Sequence, residues 1–136
     1  MEALKSILSI AASGMRAQGA RVKIISENVA NANSLGSTAG EDPYRRKTIS
    51  FVEMVDRKTG ASLVDIDNVG RDNSGFKQIY DPSHPAADKF GYVKGTNVNS
   101  LIEMANMREA SRSYEANLNM FEAGRRMRNQ LIDLIK

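Results

Sequence analysis

Apolar residues recur at alternating spacings of four and three along the first 33 residues. A repeat of this kind aligns one apolar stripe on a helix and is typical of a coiled-coil seam. A helix of this length extends about 50 Å, which is more than the core of a small domain covers. We therefore expect the stripe to pack against a neighbouring subunit, the alternative being that it covers the core of its own domain. We assign residues 1–35 to this helix, with the predicted interface residues Leu4, Leu8, Ala11, Met15, Val22, Ile25 and Val29 and with Gln18 as the polar member of the stripe.

A second long helix is predicted over residues 97–136. Its start carries Ser100 and Glu103, which have the spacing of a capping box, in which each side chain accepts a backbone N–H at the helix start. Apolar residues then recur at spacings of three and four, and the pattern slips by one position at Gly124. Such a slip changes the supercoil locally and leaves the helix continuous. The predicted interface residues of this helix are Met104, Met107, Tyr114, Leu118, Phe121, Met127, Leu131 and Leu134.

The middle of the chain, residues 36–96, has a different pattern. All three prolines and seven of the ten glycines lie between positions 34 and 96, and proline interrupts helices. Short alternating runs around positions 49–55, 64–66 and 76–80 predict strands, and Gly60, Gly70 and Gly75 predict the turns between them. The expected fold is therefore α+β, in which two long terminal helices pair as a coiled-coil domain around a small β-hairpin module.

The composition narrows the classes of function. The net charge is +3, but basic and acidic residues are interspersed along the chain, whereas a nucleic-acid-binding protein usually concentrates its basic residues. No apolar run approaches the roughly 18 residues of a membrane span, and the N-terminus lacks the features of a Sec signal peptide. We expect no nucleic-acid partner and no direct membrane insertion, and export from the cytoplasm would need another route.

No group of residues in the sequence predicts catalysis or metal binding, so we expect no enzyme, cofactor or metal. The only histidine, His84, lies between two prolines, where a turn role is the simplest interpretation. Asp65, Asp67 and Gly70 match part of an EF-hand loop, but the fifth and twelfth positions lack the required ligands. Two basic clusters, residues 45–47 and 125–128, could contact phosphates or an acidic partner. A solvated or subunit-facing patch is the simpler interpretation of both, because acidic residues lie nearby.

Several segments resemble the axial proteins of the bacterial flagellum, and the proximal rod proteins in particular. The residues at the end of the first helix, Asn28-Val29-Ala30-Asn31, resemble the Asn-x-Ala-Asn motif of these proteins. The more specific segments are Pro43-Tyr44-Arg45-Arg46-Lys47, Asp81-Pro82-Ser83-His84-Pro85, Gly91-Tyr92-Val93, Asn97-Val98-Asn99, and the run from Glu109 to Asn117.

The resemblance implies a structural subunit of the rod, which transmits torque from the motor to the hook and filament. It also implies export through the flagellum's own secretion apparatus and a final site in the rod that spans the periplasm. The implied partners are further copies of the chain, the rod proteins FlgB, FlgF and FlgG, the ring adaptor FliE, and the export apparatus during transit. The alternatives are another flagellar axial protein, of the distal rod or hook, a nucleic-acid-binding coiled coil, and a small hydrolase that uses His84.

Overall fold

The computed structural model describes all of residues 1–136. Along the chain, one long helix precedes four strands and a second long helix follows them. This order confirms the predicted α+β fold. Neither helix has a stretch that is long and apolar enough to cross a membrane. The elements are α1 (Glu2–Ala30), β1 (Lys47–Val55), β2 (Ser62–Arg71), β3 (Lys77–Tyr80), β4 (Tyr92–Gly95) and α2 (Ser100–Ile135).

The chain folds into two compact units, and each helix contributes residues to both of them. Unit 1 comprises Met1–Val22, Ile49–Asn68 and Arg108–Lys136. Unit 2 comprises Lys23–Thr48 and Val69–Met107. The four strands form two separate two-stranded sheets, β1 with β2 and β3 with β4.

In unit 1 the two helices run antiparallel and approach each other closely at glycines. Gly124 of α2 lies against Leu8, and Gly14 of α1 lies against Asn117. A Cβ atom at position 14 would lie only 2.5 Å from the side-chain oxygen of Asn117. A side chain at position 14 would therefore have to displace the Asn117 amide.

The β1–β2 hairpin confirms the predicted strands on either side of Gly60. The turn is closed by the Asp56 N–H, which donates to the Ala61 carbonyl at 2.9 Å, and Gly60 adopts a φ of +72°. The hairpin is attached to α1 by the Val64 N–H, which donates to the buried Ser13 hydroxyl at 3.3 Å. The predicted turn at Gly70 is wrong, because β2 continues to Arg71 and includes this glycine.

Unit 2 contains a strand that the sequence pattern did not predict. β3 pairs antiparallel with β4, so that Ile79 lies opposite Val93 and Tyr80 lies opposite Tyr92. The two tyrosine rings pack edge to face with their centres 5.3 Å apart. β4 has only four residues, which are too few for an alternating pattern to distinguish a strand from a loop. Its Val93 is buried and contributes to the core of this unit.

The start of α2 differs from the predicted capping box. The cap is Asn99, whose side-chain oxygen accepts the N–H groups of Leu101 at 3.1 Å and Ile102 at 3.4 Å. The Glu103 side chain is buried and pairs with Arg46 instead of capping the helix. The prediction of Ser100 as the cap was wrong because Asn99, one position earlier, is an equally good cap residue. The Glu103 carboxylate is therefore not needed at the helix start and lies in the interior of the unit.

Candidate subunit interface

The structure divides the predicted interface residues of α1 into two groups. Ala11 and Ile25 are 1% and 4% exposed and lie inside the chain's own fold. In this conformation they have almost no surface left for a neighbour. The stripe is completed by residues that keep part of their side chains accessible, namely Leu4, Leu8, Met15, Val22 and Val29.

The predicted interface residues of α2 are far more accessible. Met107, Leu118 and Phe121 are half-buried. The others are between 40% and 81% exposed, and they are Met104, Tyr114, Met127, Leu131 and Leu134. Sequence reasoning missed further exposed apolar residues beside them on the same helix, which are Leu101, Ile102, Met120, Ile132 and Ile135.

The β1–β2 hairpin carries a second set of uncovered apolar side chains. Val52, Met54, Val55 and Ile66 are 40–59% exposed. A lone two-stranded hairpin is marginally stable in water, and further exposed apolar side chains on it favour contact with a partner. Helix and hairpin together therefore have the properties of interaction surfaces.

A network of buried polar groups in unit 2 joins the end of α1 to β1. The Asn28 side chain is 1% exposed, and its oxygen accepts the Lys47 N–H at 2.8 Å and the Tyr44 hydroxyl at 2.7 Å. Its amide nitrogen donates to the Lys47 carbonyl at 2.9 Å. Asn28 therefore pairs with the first residue of β1 as a neighbouring strand would.

Arg46 joins the same region to the first turn of α2. Its Nε donates to one oxygen of Glu103, and its Nη1 lies 3.5 Å from Asp72. Its backbone N–H donates to the Asn97 side chain at 2.7 Å. The second oxygen of the buried Glu103 has no hydrogen-bond partner, so this carboxylate depends on Arg46. We call these residues the helix-end cluster: Asn28, Tyr44, Arg46, Lys47, Asp72, Asn97 and Glu103.

Contacts in and beside the helix-end cluster shift the pKa of three titratable groups, Glu27, Asp72 and Tyr44. A hydrogen bond from Lys47, whose amine lies 2.7 Å from the Glu27 carboxylate, lowers the pKa of Glu27. Hydrogen bonds from Ser74 lower the pKa of Asp72, with a smaller contribution from Arg46. Burial raises the pKa of Tyr44.

The first basic cluster of the sequence is used inside the chain. Arg46 and Lys47 form the ion pairs described above. Arg45 donates to the Asp72 carbonyl at 3.1 Å and stacks over Phe76, with its guanidinium carbon 4.3 Å from the ring centre. Neither a phosphate nor an acidic partner is needed to explain residues 45–47.

His84 has the turn role that the sequence predicts. The His84 Nδ1 accepts the Ala86 backbone N–H at 3.0 Å, and the His84 backbone N–H donates to the Asp81 carbonyl at 3.1 Å. The imidazole therefore stabilises the local turn. No group of three or more His, Cys, Asp or Glu side chains is arranged to hold a metal.

Comparison with known families places both helices in one class of protein. Residues 8–36 match the family described as flagella basal body rod protein. Residues 90–134 match the family described as flagellar basal body rod FlgEFG protein C-terminal. The two matches cover most of both helices and place the chain in the flagellar rod class.

Full-length relatives are more specific. The flagellar basal-body rod protein FlgC of Agrobacterium fabrum is 48% identical over 136 residues, covering 100% of this chain and 98% of the relative. FlgC of Salmonella typhimurium is 38% identical over 127 residues, covering 92% of each chain. FlgC of Borreliella burgdorferi is 37% identical, covering 91% of this chain and 92% of the relative. The chain belongs to the FlgC family of flagellar basal-body rod proteins, and it is a structural subunit of the proximal rod that assembles with other rod proteins.

Proposed function

We propose that this subunit polymerises into a hollow axial shaft that transmits torque from the motor to the hook and filament. The observation that supports this proposal is the set of exposed apolar side chains on α2, the most exposed of which are Leu101, Leu134 and Ile135. Covering such surface is favourable by about 25 cal/mol per Å², so neighbouring subunits gain stability by packing there. Torque transmission needs large interfaces and no catalytic group, and we propose no enzymatic activity and no cofactor.

We propose that the exposed members of the predicted set on α2, such as Met127 and Leu134, make the main contacts with neighbours. The half-buried members on both helices would border these contacts. We also propose that residues 1–35 and 97–136 act as one inner domain of the assembled rod, with residues 36–96 as a separate module.

Membership of the rod family supports a wider set of proposals about partners and export. We propose that the neighbours include FlgB, FlgF, FlgG and the ring adaptor FliE. We also propose that the chain travels through the flagellar export apparatus and that its final site is the rod within the periplasm. Passage through a narrow channel favours a chain whose helices complete their packing only after assembly.

The exposed end of α2 offers a direct test of the proposed function. Replacing both Leu131 and Leu134 by aspartate removes exposed side chains, so the fold of the subunit should be retained. An assembled interface would then bury two unpaired charges, at a cost of several kcal/mol. We expect loss of motility and loss of the subunit from isolated basal bodies.

A matched control is Asn129→Asp, which adds one charge to an exposed polar position on the same helix. The control strain should swim normally. Normal swimming by the double variant, with the subunit incorporated, would contradict the proposed interface.

A further inference from the structure

Two surfaces of unit 1 are both exposed and apolar but differ in charge. The first is the hairpin segment Ile49–Asn68, which we call the hairpin face. It carries four acidic residues and two basic ones, Arg57 and Lys58, and therefore has a net charge of −2. The acidic residues are Glu53, Asp56, Asp65 and Asp67.

The second surface is the end of α2, residues 120–136, which we call the α2 tail. It carries four basic residues and two acidic ones, Glu122 and Asp133, and therefore has a net charge of +2. The basic residues are Arg125, Arg126, Arg128 and Lys136. Its apolar side chains include the most exposed ones of the chain, Leu134 and Ile135, each 81% accessible.

An open groove of about 460 Å³ lies beside the hairpin face. Its walls include Ile10 of α1 and Phe51, Val52 and Leu63 of the hairpin, with Glu53 supplying a carboxylate. Gln18 also lines it, and the side-chain oxygen of this residue is buried without a hydrogen-bond partner. Turning that amide oxygen toward an incoming donor would break no bond, so the groove suits apolar side chains accompanied by a cationic donor.

We propose that the hairpin face of one copy of this chain receives the α2 tail of a second copy. The tail supplies what complements the groove: exposed aliphatic side chains for its apolar walls and guanidinium donors for the carboxylate of Glu53. Opposite net charges on the two surfaces favour this encounter. A contact of either surface with its own counterpart, hairpin face against hairpin face or tail against tail, would instead place like charges together.

We take this contact as one-way: the tail of the first copy does not return to the hairpin face of the second. It is then heterologous and leaves one free surface of each kind on every pair. Contacts of this type generate rings or open helical arrays. The inference rests on the proposed polymerisation and adds which surfaces meet between copies of this chain.

The chain contains no cysteine, so single cysteines report the contact without interference. One tagged copy carries Val52→Cys or Ile66→Cys on the hairpin face, and a second copy with a different tag carries Ile132→Cys on the α2 tail. All three positions are at least 40% exposed, so the fold should be retained. The two copies are co-expressed, and isolated basal bodies are treated with a short bis-maleimide.

We expect a cross-linked dimer that carries both tags, and no dimer when either variant is expressed alone. A control pair combines Ile132→Cys with Ser83→Cys, an exposed position in unit 2 outside both surfaces, and should give no dimer. Dimers from a single variant alone would overturn the proposal in favour of a contact between like surfaces. Cross-links only to other rod proteins, or none at all with both variants incorporated, would overturn it as well. Absence of the chain from basal bodies is a separate outcome that contradicts the proposed function itself.

Discussion

The helix-end cluster gives the sharpest quantitative prediction, through the substitution Asn28→Ala. This change removes three hydrogen bonds, two to the backbone of Lys47 and one to the Tyr44 hydroxyl. Leaving a buried polar group unsatisfied costs about 1–3 kcal/mol. Because water can reach some of the freed groups, we expect a total loss of about 2–5 kcal/mol, a large share of the ~5–15 kcal/mol typical of a domain.

The assay is urea unfolding of the purified chain, followed by circular dichroism. With a slope of about 2 kcal/mol per molar urea, the midpoint should fall by about 1–2.5 M at an unchanged slope. Asn31→Ala is the matched control, because Asn31 belongs to the same motif but makes only two side-chain hydrogen bonds: it donates to the Glu27 carbonyl and accepts from the exposed Ser34 hydroxyl. The control should cost about 1 kcal/mol or less. Equal midpoints for the two variants would refute the reasoning that Asn28 attaches β1 to α1.

Three further predictions concern other contacts of the fold. Arg46→Met should destabilise the chain by about 3–5 kcal/mol, because it leaves the Glu103 carboxylate buried without its partner; adding Glu103→Leu should recover most of the loss in a double-mutant cycle of urea midpoints. Gly14→Ala should cost about 1–3 kcal/mol through overpacking against the Asn117 amide, and a thermal melt that shows no loss would indicate that the helices separate easily. Since the pKa of Asp72 is lowered in the fold, its contribution to stability is present above the unfolded-state pKa of about 3.9 and is lost as the pH falls through the lower folded-state value. Asp72→Asn should therefore reduce the acid dependence of the unfolding midpoint, and an unchanged pH profile would contradict this assignment.

The helices could be predicted from the sequence because their apolar positions repeat over many turns. The hairpin strands were also predictable, since Ile49, Phe51 and Val55 alternate with other residues before a glycine turn. Strand β4 was not, because its pairing with β3 depends on contacts between residues that are distant in the chain, such as Ile79 and Val93. Local alternation carries no information about such contacts.

The candidate interface was also only partly predictable from the sequence. An apolar stripe predicts that a helix face will be covered, but it does not say by which neighbour. Ala11 and Ile25 are covered within the chain, whereas Met127 and Leu134 are not. The helix-end cluster could not be predicted from the sequence, for a different reason. Glu103 and Arg46 are separated by 57 positions, and in sequence each has a simpler interpretation, as a cap residue and as part of a basic patch.

The central claim is that the chain is a rod subunit whose exposed α2 face is covered by neighbouring subunits. A density map of the isolated basal body, with this chain traced in it, tests the claim most directly. We predict that the chain lies in the wall of the proximal rod and that Met127, Leu131 and Leu134 are buried against adjacent subunits. A chain absent from the rod, or one traced there with these three side chains still facing solvent, would contradict the account.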